Sequence, residues 1–210
     1  MGVIAASQAP AGIQGILLAA GKGRRFGADK LLHPLADGTP MALQSARHMR
    51  AALPRMLVVL RPDSRALEEL LRREGLPCVI ATSAELGMGH SIAAGVAASA
   101  DAAGWVMGLA DMPFVLPETI ASVAAALHDG APLAAPQFQG QRGHPVGLGA
   151  GFRDALLALQ GDAGARAILQ NEAQRLRLVP VSDAGVLRDV DTPADLGGAP
   201  AHTAQAKTDF

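Results

Sequence analysis

Apolar runs alternate with amphipathic stretches along the first two thirds of the chain. Gln14 to Ala19 is almost wholly apolar and runs out at Gly21, which predicts a strand buried on both faces. Met41 to Leu53 is rich in helix formers and stops at Pro54. Met56 to Leu60 predicts a second strand, closed by Pro62. Ser64 is placed to cap a helix that runs through Glu74, with Gly75 as its stop. Pro77 to Ile80 predicts a third strand and His90 to Ala100 an Ala-rich helix. Trp105 to Leu109 predicts a fourth strand, followed at once by Asp111-Met112-Pro113. A helix with proline in its first turn spans Pro117 to His128, and Leu133 to Ala135 is a short strand.

The pattern then loosens. Gln139 to Gly149 is glycine-rich and predicts a loop or hairpin. Phe152 to Leu159 and Ala163 to Asn171 have helical spacing, and Arg175 to Val181 reads as a strand. Val186 to Val190 leads into Asp191-Thr192-Pro193. Strands alternating with helices predict an α/β fold with a mostly parallel sheet and right-handed crossovers. The expected organisation is one domain over residues 13–197, with a loose arm at 1–12 and a disordered tail at 198–210.

Composition narrows the function classes. Half of the 210 residues are hydrophobic, yet aromatics make up 3% and tyrosine is absent, so the core must be aliphatic, as suits helices on a parallel sheet. The net charge of -1 implies no nucleic-acid or anionic-membrane partner, so phosphate binding would need a local cluster of cations. The one cysteine, Cys78, lies in an apolar run and is expected to be a small buried thiol. No secretory signal and no membrane span is read, and a cytoplasmic protein is expected.

Such a cluster exists at Leu18 to Lys30. A buried strand runs into a loop carrying Gly21, Gly23 and Gly27 together with Lys22, Arg24, Arg25 and Lys30. Glycines let backbone amides approach an anion, and the cations can neutralise a triphosphate. The dinucleotide motif G-x-G-x-x-G fails because Phe26 stands where its third glycine belongs, and the Walker motif fails at the same residue. A solvated surface turn would fit the same composition, but ligands of open α/β sheets bind at the carboxyl ends of strands.

Two carboxylates follow strand-like runs, Asp111 after Trp105–Leu109 and Asp191 after Val186–Val190. Mg²⁺ takes one or two protein carboxylates and fills its other positions with water and phosphate oxygens. Each aspartate also precedes a proline turn and so fits a cap or turn former.

Six segments together resemble the MobA/MocA-like nucleotidyltransferase family, in particular its molybdenum cofactor cytidylyltransferase branch. They are Leu18 to Lys30, G-M-G-H-S at Gly87 to Ser91, L-A-D-M-P at Leu109 to Pro113, R-G-H-P-V at Arg142 to Val146, G-D-A-G-A-R at Gly161 to Arg166 and D-V-D-T-P-A-D at Asp189 to Asp195. The resemblance implies a Rossmann-like, three-layer α/β/α fold of the nucleotide-diphospho-sugar transferase kind. It implies that Leu18, Ala19, Ala20, Gly21, Gly23, Arg25 and Lys30 hold the nucleotide, joined by Gly89, Ser91 and Asp111, and that Asp111 and Asp191 hold Mg²⁺. Ala20, where the guanylyl branch carries glycine, resembles the cytidine branch.

The implied reaction transfers CMP from CTP to the terminal phosphate of molybdopterin, with Lys30, Arg25 and Asp111 as the catalytic set. His144 and Arg166 are candidates for holding the acceptor, and a molybdoenzyme would receive the product. Asp162 and Arg166, four apart, also fit an ordinary helical ion pair. Transfer to another phosphorylated acceptor, a MobA-like oxidoreductase and a cofactor-delivery protein are the alternatives.

Overall fold

The computed structural model describes residues 12–21, 30–162 and 164–196. The apolar runs become strands of one eight-stranded sheet, in the order β3-β2-β1-β4-β7-β5-β6, with β8 pairing β5. The strands are β1 (Ile13–Ala19), β2 (Met56–Leu60), β3 (Cys78–Ile80), β4 (Gly104–Leu109), β5 (Leu133–Phe138), β6 (Gln141–Arg142), β7 (Val146–Gly149) and β8 (Leu176–Pro180). β1 runs parallel to β2 and β4, β2 to β3, and β5 to β8. β7 is antiparallel to both β4 and β5, and β6 is antiparallel to β5.

The helices are α1 (Met41–Ala52), α2 (Arg65–Arg73), α3 (Met88–Ala97), α4 (Pro117–His128), α5 (Arg153–Leu157) and α6 (Arg166–Asn171). β1 shows why its run is apolar throughout. Leu17 and Ala19 join a cluster with Met49 of α1, Leu67 of α2 and Val123 of α4. Ile16 and Leu18, of opposite parity, join Ile92 of α3, Leu156 of α5 and Leu169 of α6. The three layers are therefore set by covering both faces of the sheet. Each fully buried Leu, Ile or Val is worth about 1.5–3 kcal/mol in removed apolar surface. Trp105 is fully buried in β4, and its indole N–H donates to Ser99 Oγ at 3.0 Å.

The structure departs from the pattern in several places. β5 continues three residues past Ala135, and the glycine-rich stretch after it forms both β6 and the interior strand β7. Gly147 of β7 packs under α4, where an added Cβ would meet Leu127 and Val123 at 3.0 Å. That close approach requires a residue with no strand signal of its own. Ser64 is buried but makes no side-chain cap to α2. Cys78 is half-buried on a short strand at the sheet edge, and burial raises its thiol pKa.

β5 runs in the same direction as β4, because β7 opposes both. The ends of β1 at Ala19, of β4 at Leu109 and of β5 at Phe138 therefore share one edge, and the start of β7 at Val146 lies there too. The site is built along this carboxyl edge.

Candidate functional site

Lys30 is the centre of the site. Its ammonium donates to Asp111 Oδ2 and to Asp191 Oδ1, each at 2.9 Å, although the three residues are 81 and 161 positions apart. Lys30 keeps only 7% of its side-chain surface, whereas the two carboxylates keep 24% and 29%. The acids thus converge on one cationic point while remaining open to solvent on the other side.

Each partner is fixed from outside the site. Lys30 opens a 3-10 turn, Lys30–Leu32, whose Leu31 and Leu32 pack on the core, and His33 accepts the backbone N–H of Met41 at 3.0 Å. Ser45 of α1 donates to the carbonyl of Ala110 at 3.0 Å and so holds the turn that carries Asp111.

The Asp191 segment is tied down along its length. Asp183 accepts from Leu116 N and Thr119 Oγ1, both at 2.8 Å, and so caps α4 from far along the chain. Val190 is fully buried against Met41, and its N–H donates to the carbonyl of Asp111 at 2.9 Å. Asp195 reaches back to accept from Asp191 N at 3.0 Å, Thr192 N at 2.7 Å and Thr192 Oγ1 at 3.0 Å. These bonds, led by the backbone N–H of Thr192, lower the Asp195 pKa. Asp195 therefore serves the turn, and Asp191 faces Lys30.

Among the nucleotide candidates, Leu18 and Ala19 are buried strand residues, Ala20 is partly exposed and Gly21 is exposed at the end of β1. Gly23 and Arg25, with Lys22 and Arg24, lie outside the described residues. The G-M-G-H-S segment starts α3. Gly87 has φ +125°, and a Cβ there would lie 2.2 Å from Gly161 C. A Cβ on Gly89 would lie 2.9 Å from Gln160 N, and Gly89 N donates to Gly161 O at 2.9 Å. Two motifs distant in sequence are thus pressed backbone to backbone, and only glycine permits it. Ser91, one turn into α3, is 2% exposed, and its Oγ has no hydrogen-bond partner among the described residues. A buried hydroxyl left unpaired costs about 1–3 kcal/mol, so an arriving polar group would be welcomed there.

His144 precedes Val146, which pairs with Met107, and it lines a small apolar cavity with Leu109 and Met112 on either side of Asp111. Its backbone N–H donates to Val186 O at 2.9 Å. The residue keeps some surface, but its ring Nδ1 is enclosed. Burial first, and the Arg142 charge second, push its pKa down to about 4, against a partial pull upward from Asp189. The imidazole is therefore neutral at ordinary pH. Arg166 begins α6 and Asp162 lies in the turn before it, so the two do not share a helix. Sequence reasoning missed Asp195, Asp183 and Ser45 as site supports. Asp195 carried a usable signal, since its spacing after Thr192 is that of a reciprocal turn cap.

The donor set fits a hard divalent cation. Two carboxylate oxygens already meet at a single positive charge, and oxygen-only ligation from one or two carboxylates suits Mg²⁺ or Mn²⁺ bound with phosphates. No group of three or more metal-ligating His, Cys, Asp or Glu occurs among the described residues, so such an ion would draw its remaining ligands from nucleotide and water.

Comparison with known proteins gives the chain's family and fold. The model of the MobA-like NTP transferase domain matches residues 15–177. The purine catabolism protein PucB of Bacillus subtilis is 30% identical, over 86% of this chain and 92% of its own. The nicotine blue oxidoreductase of Paenarthrobacter nicotinovorans is 29% identical over the same shares. The crystal structure of Rv0371c from Mycobacterium tuberculosis superposes with a TM-score of 0.78 at 25% identity, over 90% of this chain and 96% of that one. That protein has also been solved in complex with manganese. The three-layer fold is that of nucleotide-diphospho-sugar transferases.

Proposed function

Because the chain belongs to the MobA-like NTP transferase family, we propose that it is a cytoplasmic enzyme that transfers CMP from CTP to the terminal phosphate of molybdopterin or Mo-molybdopterin. The observation that carries the transferase reading is the convergence of Asp111 and Asp191 on the Lys30 ammonium at the carboxyl edge of the sheet. The motifs Arg142 to Val146 and Gly161 to Arg166 support the acceptor, and Ala20 supports cytosine over guanine.

An oxygen of the acceptor phosphate forms a bond to the α-phosphorus, the bond from that phosphorus to the α–β bridging oxygen breaks, and pyrophosphate leaves. The acceptor phosphate is already ionised, so no protein nucleophile is required. Catalysis then rests on positioning and charge stabilisation. Asp111 and Asp191 would hold Mg²⁺, which when bound neutralises the α-phosphate and its leaving group. Lys30 lies within reach of the same point and, on exchanging its two carboxylates for phosphate oxygens, stabilises the developing charge, a role the resemblance also gives to Arg25. Ser91, whose buried hydroxyl has no partner among the described residues, would hydrogen-bond the nucleotide.

Pyrophosphate release from CTP, GTP and ATP, each with molybdopterin, tests this directly. Release with CTP far above the other two is expected. No release with any of them ends the reading. The relative named as an oxidoreductase favours a second reading, that of an oxidoreductase. A stoichiometric NAD(P) or flavin in the purified protein would select it.

A further inference from the structure

Phe114 is gripped from two sides by one short segment of the chain. On the first side Gly185 is pressed onto its backbone, where an added Cβ would lie 2.1 Å from the Phe114 carbonyl oxygen. On the second side the Arg188 guanidinium lies over the Phe114 ring, 3.9 Å from its centroid. The same guanidinium donates to the carbonyl of Asp195 at 2.7 Å. The backbone N–H of Arg188 donates to Gly185 O at 3.0 Å, which fixes where the side chain starts. A ring face and a peptide carbonyl both suit a guanidinium, whose flat cation stacks while its edge donates.

These contacts span the two halves of the metal-acid pair. Phe114 lies three residues past Asp111, and Asp195 is the residue whose carboxylate organises the Asp191 turn. Arg188 therefore ties the Asp111 turn to the Asp191 turn through an aromatic ring and a peptide carbonyl. Phe114, Val190 and Leu196 also pack with Leu35 and Met41, which follow Lys30, in a small apolar cluster of their own. Past β8 the chain forms no further strand among the described residues, so contacts of this kind must set where Asp191 sits.

We propose that Arg188 is a positioning residue for the divalent cation, clasped between Phe114 and the Asp195 carbonyl so that Asp191 is held against Asp111. This rests on the transfer reading and adds to it a residue outside the nucleotide, acceptor and metal sets. Mg²⁺ demands near-ideal coordination geometry. Two carboxylates from remote turns serve such an ion best when their spacing is set before it arrives. Without the clasp the Asp191 turn keeps its internal Asp195 bonds but loses its side-chain tie to the Phe114 ring.

The test measures Mn²⁺ binding by electron paramagnetic resonance, with the protein saturated by a CTP analogue whose α–β bridge is methylene. Arg188→Gln should weaken Mn²⁺ binding about tenfold or more, as befits a lost charged hydrogen bond and a lost stacked cation. Arg188→Lys should weaken it less, and Phe114→Leu, which keeps an apolar side chain, should weaken it too. The double variant should lose no more than Arg188→Gln alone, because both changes break one clasp. Affinity for the CTP analogue without metal should stay within about twofold, which a general loosening of the fold would not allow. Thermal melting confirms that each variant is folded, and Arg188→Lys with Phe114→Leu carries the test if Arg188→Gln is not. Wild-type Mn²⁺ affinity in the folded variants overturns the proposal, as do additive losses or no Mn²⁺ binding by wild type. An equal loss of metal-free affinity for the CTP analogue also overturns it by assigning Arg188 to the nucleotide. If no NTP releases pyrophosphate yet Mn²⁺ binding still depends on Arg188, the clasp stands and the transfer reading alone falls.

Discussion

Lys30 plays the part of a cation that has not yet arrived. Its ammonium takes one oxygen of each carboxylate at 2.9 Å and so competes with a divalent ion for their charge. Metal binding without nucleotide is opposed by the lysine, whereas nucleotide offers it phosphates in exchange. Lys30→Met should tighten Mn²⁺ binding in the absence of nucleotide, read by electron paramagnetic resonance, while weakening CTP binding about tenfold or more. Unchanged Mn²⁺ affinity would mean that Lys30 does not guard the site. Asp111→Asn should lower turnover by at least about a hundredfold, with the far-ultraviolet circular dichroism unchanged. Near-normal turnover would remove Asp111 from the metal set. The residue types were legible in the sequence, and the resemblance implied that they share one site, but the direct contact of Lys30 with both acids was not. No local signal marks two aspartates and a lysine as one cluster when 161 residues separate its ends.

At the scale of elements, the legible parts are those covered on both faces. β1, β2 and β4 read as continuous apolar runs because helices from both layers cover them. β7 was hidden because close packing under α4 selects glycine at Gly147, which erases the strand pattern. The same demand appears where α3 meets the Gly161 turn. Gly87→Ala would place a Cβ 2.2 Å from a backbone carbon in a left-handed conformation. It should destabilise the fold by about 1–3 kcal/mol, measured by urea denaturation, and weaken CTP binding by shifting Ser91. A stability loss with intact CTP affinity would separate that turn from nucleotide binding.

For the whole molecule, His144 links stability to pH. Its pKa lies near 4 in the folded protein, below the ordinary 6.5. Between those values the unfolded chain binds more protons, so stability rises with pH and is lost as pH falls from about 6.5 toward 4. Melting temperatures across that window should fall less steeply in His144→Asn than in wild type. Parallel slopes would show that His144 is protonated as readily folded as unfolded.

No helix among the described residues is long and apolar enough to cross a membrane. The alternation of apolar and amphipathic segments determined by itself the α/β class, the parallel heart of the sheet and the strand ends where chemistry would gather. It did so because hydrophobic burial and chain chirality act on local pattern. Only the tertiary structure decided that Asp191 returns to Asp111, that Asp195 rather than Asp191 caps its turn, and that Arg188 lies over Phe114. Those facts depend on hydrogen bonds and packing between segments remote in the chain, whose energies no local pattern encodes.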